Sequence, residues 1–276
     1  SLTITKPTVG TADSFWVCAN DQCSSFVRVG AHAQHVGAKV AIFTDDSQPP
    51  GGGYLPTDLG PIGDLFDNFL YPIDTTNFGR ESDIDNNSVV KVLLTPRINQ
   101  LSGNCNTTKS VILGYFLSTD LTPGSDPHSN RGEIFYSLVP DPANSSCTIS
   151  QNFAKDNLAP TFIHEFQHMI SFNQHFLLRG GQAEDTWLNE GLSHYAEELG
   201  GRLIPDAQNP TKASSPNTYT QFALSDFQNA YEYLINPEAH FLIEPSESGG
   251  TLEERGANWL MTFWLANQFG TLTPDS

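Results

Sequence analysis

The chain has 276 residues, 38% apolar and 16% charged, with 22 Gly and 18 Pro, a composition that excludes disorder, coiled coil and collagen and suffices for a sizeable buried core. Thirteen Lys and Arg stand against 31 Asp and Glu, a net charge of −18, so the clustered cations of a phosphate-backbone binder are missing and no nucleic-acid partner is expected. No apolar run approaches the roughly 20 residues of a bilayer span, the most apolar stretch being Trp259 to Ala266, and no membrane partner is expected.

Residues 1–150 read as a β-rich N-terminal region. Ser1 to Gly10 lacks the basic and apolar segments of a signal peptide, so an exported form would be met here as the mature chain. Phe15 to Val17, Ser25 to Val29 and Lys39 to Thr44 are short β-prone runs broken by Gly, Asn and Asp, predicting a small sheet of their own. From Asp58 to Leu70 the apolar residues fall on one helical stripe, which Pro72 is expected to close. Val89 to Thr95, Ser110 to Ser118 and Gly132 to Val139 then predict three strands of a second sheet. The even count of four cysteines, with few Lys and an acidic excess, points to export and to two disulfides, most simply Cys18 with Cys23 and Cys105 with Cys147. Buried free thiols are the alternative.

Residues 151–276 read as helical: Thr161 to Phe172 after Pro160, Thr186 to Leu199 with Gly200-Gly201 as its stop, and Gly256 to Phe269. The whole is α+β, its boundary near Ser150 lying between lobes of one unit. The last residues, Leu272 to Ser276, follow a helix closely enough that a further segment is expected beyond them.

His164-Glu165-Phe166-Gln167-His168 places two imidazoles one turn apart on a helix, able to reach one metal ion, with Glu165 at their flank as a base. The flanking Phe162, Ile163, Phe166, Met169 and Ile170 imply burial, and buried histidines need partners. A catalytic zinc takes three protein ligands, and Glu190, opening the next helix, is the best third. On that helix Glu190, His194 and Glu197 recur on one polar stripe opposite Leu188, Leu192, Tyr195 and Leu199.

His164-Glu165-x-x-His168 followed by Asn189-Glu190 resembles the gluzincin metallopeptidases. The run Trp187-Leu188-Asn189-Glu190-Gly191 is similar to the glutamate helix of the aminopeptidase N group, while the spacing and the flank through Met169-Ile170-Ser171-Phe172-Asn173 look closer to the hyicolysin-like secreted peptidases. The resemblance implies a zincin-like fold, a Zn2+ cofactor held by His164, His168 and Glu190, Glu165 as catalytic general base, and a secreted, monomeric endopeptidase acting on protein or peptide. His194 departs from thermolysin, which has an aspartate four residues after its glutamate ligand, so Glu197 or another carboxylate is expected to orient a ligand. The run Gly132 to Val139 matches in position the edge strand that receives substrate, with Ile134, Phe135 and Tyr136 bordering the groove. Tyr219, Tyr231, Tyr233 and His240 are the candidates for stabilising an oxyanion, none favoured by spacing. Rival readings are a zinc aminopeptidase and a non-catalytic zinc-bearing binding module.

Asp83, Asp85 and Asn87 have the alternate spacing that opens a calcium loop, but Ser88 and Leu94 stand where an EF-hand has Gly and Glu, so structural Ca2+ and a plain Asp/Asn turn are both open. Asn86, Asn106 and Asn144 head glycosylation acceptor triplets that matter only in a eukaryotic secretory pathway.

Overall fold

The computed structural model describes residues 5–245 and 249–270; the Leu272 to Ser276 run lies outside the described residues. All six predicted strands form, but as one sheet. β1 (Ala12–Cys18), β2 (Phe26–Val36), β3 (Val40–Asp45), β4 (Val90–Leu94), β5 (Gly114–Phe116) and β6 (Ile134–Ser137) are ordered β1-β2-β3-β4-β6-β5. The two expected sheets merge because β3 and β4 pair in parallel, Val40 opposite Val90 through Thr44 opposite Leu94. Every residue of β4 is buried, as in a strand covered on both faces. Parallel pairing needs a long crossover, and the helical stretch between them supplies it.

That stretch runs further than Pro72 predicts. α1 (Pro56–Leu65) passes through a π-helical turn, Phe66–Leu70, into α2 (Tyr71–Phe78). The widened turn absorbs the missing N–H and ring of Pro72, so the proline sits in the first turn of α2 instead of ending the helix. Two short helices, α3 (Pro96–Leu101) and α4 (Cys105–Thr108), follow β4.

Among the described residues beyond 150 there are four α-helices rather than three. α5 (Gln151–Ser171) starts ten residues before the predicted Thr161, capped by Ser150, whose Oγ accepts from the Phe153 N–H at 3.1 Å. Pro160 therefore lies inside it. The Asp156 carbonyl that Pro160 leaves without a donor accepts from Gln221 Nε2 at 3.0 Å, which supplies the missing hydrogen bond from the next layer. α6 (Thr186–Leu203) runs through Gly200-Gly201; a side chain on Gly200 would lie 2.8 Å from the Phe222 ring, so glycine serves close packing against α7 (Thr218–Ile235) rather than a stop. α8 (Leu252–Phe269) opens on a Thr251/Glu254 capping box.

The sheet has a core on each face. Val40, Ile42, Val92, Leu94 and Phe135 pack with Phe66, Phe162 and Phe166 on one side, and Phe15, Ala41, Phe43, Leu93 and Tyr136 with Ile98, Cys147 and Ile149 on the other. Each fully buried large apolar side chain contributes roughly 1.5–3 kcal/mol, and Phe66, Phe162 and Phe166 join the π-helical turn to α5, while Phe162 meets Phe135 of the sheet. Both expected disulfides are present, Cys18–Cys23 and Cys105–Cys147.

Candidate metal centre

α5 is buried on the faces that carry Phe162, Ile163, Phe166, Met169 and Ile170, and the same anchoring fixes His164 and Glu165, 8% and 6% exposed. α6 packs beside it and directs Glu190, His194 and Glu197 at the imidazoles. The Nε2 atoms of His164 and His168 lie 3.1 Å apart, and the Glu190 carboxylate stands 3.6 Å from the first and 4.0 Å from the second.

The opposite ring nitrogens fix the tautomers. His164 Nδ1 lies 2.7 Å from Glu197 Oε1, which only accepts, so Nδ1 carries the proton. The Ser193 hydroxyl donates to Gln167 Oε1 at 2.6 Å, which leaves its oxygen and Asn189 Oδ1, both 2.9 Å away, to accept from His168 Nδ1. The two Nε2 atoms thus face each other within hydrogen-bond distance, an arrangement that calls for a shared cation, metal or proton. In zinc sites with metal–ligand bonds of about 2.0–2.1 Å, tetrahedral ligand atoms stand about 3.3 Å apart, close to the spacing found among His164, His168 and Glu190. Without a metal, a proton takes that place: burial alone would depress His164, but Glu190 and Glu197 hold it well above the usual imidazole range. His168 falls to about 4 through burial and the charge on His164.

Electrostatics divide the carboxylates. Burial lifts Glu165 to about 7, Glu190 and Glu197 adding to the rise while His164 and Arg255 oppose it. Glu190 is partly buried, yet Arg255, its Nη1 3.1 Å from Oε2, and the two histidines keep it well below the usual carboxylate range. His194 Nδ1 lies 2.9 Å from Asp226 and 3.0 Å from Glu197, and these carboxylates outweigh burial and carry it up to about 9. His164, His194 and Glu197 also bring ligand atoms within 4.8 Å of one another, but there Glu197 already accepts from His164 Nδ1.

Edge-strand placement needs correcting. β6 is internal, flanked by β4 and β5, with Ile134, Phe135 and Tyr136 all buried; the edge is β5, antiparallel to it. Gly114 lets β5 pass close over α5, since a side chain there would meet the Tyr136 carbonyl at 2.5 Å and Thr161 at 2.7 Å. Two cavities flank Glu165. One, of about 330 Å³, is lined by Tyr115, Phe116, Phe172 and Glu184; the other, of about 520 Å³, by Ile112, Leu113, Thr161 and Leu252, and both include Gly114, His164, Glu165 and Arg255.

None of Tyr219, Tyr231, Tyr233 or His240 lines either cavity, because α7, absent from the sequence-based helices, turns those tyrosines outward, Tyr219 and Tyr231 to the exposed surface. Arg255 and Asp226 are the site residues that the sequence reading missed. One signal was available: Arg255 sits in the first turns of a helix, where a cation opposes the macrodipole and needs another reason to be there.

No family model matches the chain. It is similar to the neutral metalloprotease ShpI of Staphylococcus hyicus, 33% identical over 139 residues. The matched stretch covers 50% of this chain and 30% of that protein, so the chain spans under a third of the length of the curated relative it matches.

Proposed function

We propose that the chain is the catalytic part of a secreted zinc endopeptidase of gluzincin type, with His164, His168 and Glu190 holding the metal. The observation that carries this reading is the pair of Nε2 atoms 3.1 Å apart with the Glu190 carboxylate beside them. A mixed imidazole and carboxylate donor set suits zinc, and the relative's name, a neutral metalloprotease, agrees with it. When bound, zinc supplies the Lewis acidity that activates water and polarises a carbonyl.

The chain's own residues do the rest. Glu165, raised to about 7, accepts a proton from the attacking water at its carboxylate and returns it to the leaving amine. The free edge of β5 offers N–H and C=O groups to an extended substrate, which adds as a further strand. Arg255 borders both cavities and donates to a carbonyl oxygen of the bound chain. Room on both sides of Glu165 suits a cut within a chain and favours an endopeptidase over an aminopeptidase. The two disulfides and the acidic surface support export, and no helix among the described residues is long and apolar enough to cross a membrane.

The test is metal content together with casein hydrolysis for the wild type and Glu165→Gln, and cleavage of N-terminally blocked against free peptides. About one zinc in both proteins, with cleavage of casein and blocked peptides by the wild type alone, is the expected result. A zinc-loaded wild type inert to both substrates would leave a binding module, and cleavage of free peptides alone would leave an aminopeptidase.

A further inference from the structure

A second group of acidic side chains lies apart from the metal centre, at the start of β4 and β6. One carboxylate oxygen each of Asp83, Asp85 and Glu133 lies within 4.8 Å of the other two. Asp83 is exposed, whereas Asp85 and Glu133 are 3% and 2% exposed. Such crowding is costly without neutralisation, and the partners present are incomplete. Lys91 Nζ pairs with Asp85 Oδ2 at 2.9 Å, leaving three carboxylates against one ammonium. Lys39 and Arg80 border the adjoining cavity of about 200 Å³, which Asp83, Ser82 and Glu133 also line, but Lys39 is turned over the Tyr71 ring at 4.9 Å. Neither pairs with these carboxylates.

The independent sign of a ligand is Glu133. Its Oε1 accepts from Ser82 Oγ at 2.6 Å and from the Ile84 N–H at 3.0 Å, while Oε2 is buried with no hydrogen-bond partner at all. A buried carboxylate oxygen without a partner, on a side chain grouped with two further carboxylates, has the form of an ion ligand.

We propose that Asp83, Asp85 and Glu133 bind one hard divalent cation of the calcium type. The donor set is oxygen only, which selects calcium over zinc, and a double positive charge beside Lys91 balances the three carboxylates. The arrangement is not that of an EF-hand. The Asn87 amide turns back to donate to Asp85 Oδ2 at 2.7 Å, and the carboxylate that completes the group comes from Glu133, about 50 positions on. The ion therefore staples the turn 79–88 to the sheet. That turn is in turn held to the segment after α5, since Asn173 and Gln174 donate to the Arg80 carbonyl at 2.8 and 2.7 Å, next to Phe172 in the wall of the catalytic cavity.

Isothermal titration of the zinc-loaded chain with CaCl2, and separately with MgCl2, tests this without recourse to peptide hydrolysis. One calcium site is expected, with Kd on the order of 10⁻⁴ to 10⁻³ M as in extracellular modules, magnesium at least tenfold weaker, and a Tm that rises with calcium concentration. Glu133→Gln and Asp83→Asn should each weaken calcium at least tenfold. Asp83 is exposed, so its variant decides the matter should Glu133→Gln fail to fold. The proposal is overturned if millimolar CaCl2 produces neither heat nor a Tm shift, if Asp83→Asn binds as tightly as the wild type, or if magnesium binds equally well.

Discussion

His164 Nδ1 and Glu197 Oε1 lie 2.7 Å apart, across two helices that are 33 positions apart in sequence at this point. The contact turns Nδ1 to Glu197 and Nε2 to the cleft, and under the proposed function Glu197 is the carboxylate that the change from aspartate to His194 had left unassigned. Carboxylate partners of a ligating histidine typically contribute 10- to 100-fold in metal affinity. Glu197→Ala should therefore weaken zinc binding by about that factor while leaving the helical circular dichroism intact. Unchanged affinity in a competitive chelator titration would show that His164 needs no such support.

A base acts only when ionised, so with Glu165 as the proposed base, activity is expected above its pKa and lost as pH falls through it. Burial sets that pKa at about 7 in the bare site, and a nearby dication can only lower it. The acid limb of kcat/KM is expected between about pH 5 and 7, the dication offsetting only part of the rise that burial causes, with activity falling about tenfold per unit further down. A profile that stays flat down to about pH 5, half a unit or so above an unperturbed glutamate, would remove the buried-base assignment.

Arg255 touches Glu190 at 3.1 Å and also borders both cavities. If it serves the substrate, Arg255→Ala should lower kcat/KM by about 10- to 100-fold, in keeping with the roughly 1.5–3 kcal/mol of a hydrogen bond to a charged group, with zinc content unchanged. Arg255→Lys should not restore activity, since an ammonium lacks the planar fork. Loss of zinc in place of activity would mean that Arg255 acts only through Glu190.

The two disulfides should differ in worth. Cys105–Cys147 closes a sequence separation of 42 and Cys18–Cys23 one of 5; loop-closure entropy gives about 4 and about 2 kcal/mol respectively. Thermal melts of Cys105→Ser/Cys147→Ser and Cys18→Ser/Cys23→Ser should rank in that order, and the reverse order would point to effects outside the unfolded chain.

The grouping of the candidate site residues was more legible in the sequence than the order of the sheet. His164, Glu165 and His168 are linked by helical spacing alone, and a polar stripe was enough to bring Glu190 and Glu197 to one face of α6. Strand order was beyond reach, because β3 and β4 pair across about 50 residues and nothing local distinguishes a partner strand from a neighbour in another sheet. Pro72 and Pro160 misled for a common reason: each looks like a helix boundary, one an end and the other a start, until a π-helical turn, or Gln221 reaching in from α7, takes care of the hydrogen bond it removes. α7 itself escaped notice because the residues it buries, among them Thr218, Phe222, Ala223, Asp226 and Ala230, are small or polar apart from one phenylalanine.

β5 spans only Gly114–Phe116, and no further strand pairs with its outer edge among the described residues. An unpaired edge invites other copies of the chain as readily as a substrate, and stacked growth into fibrils needs segments of about six residues. Three residues are too few to template it. Under the proposed function, the brevity of β5 would let a peptide be held for the length of one turnover while denying aggregation a foothold at the mouth of the cleft.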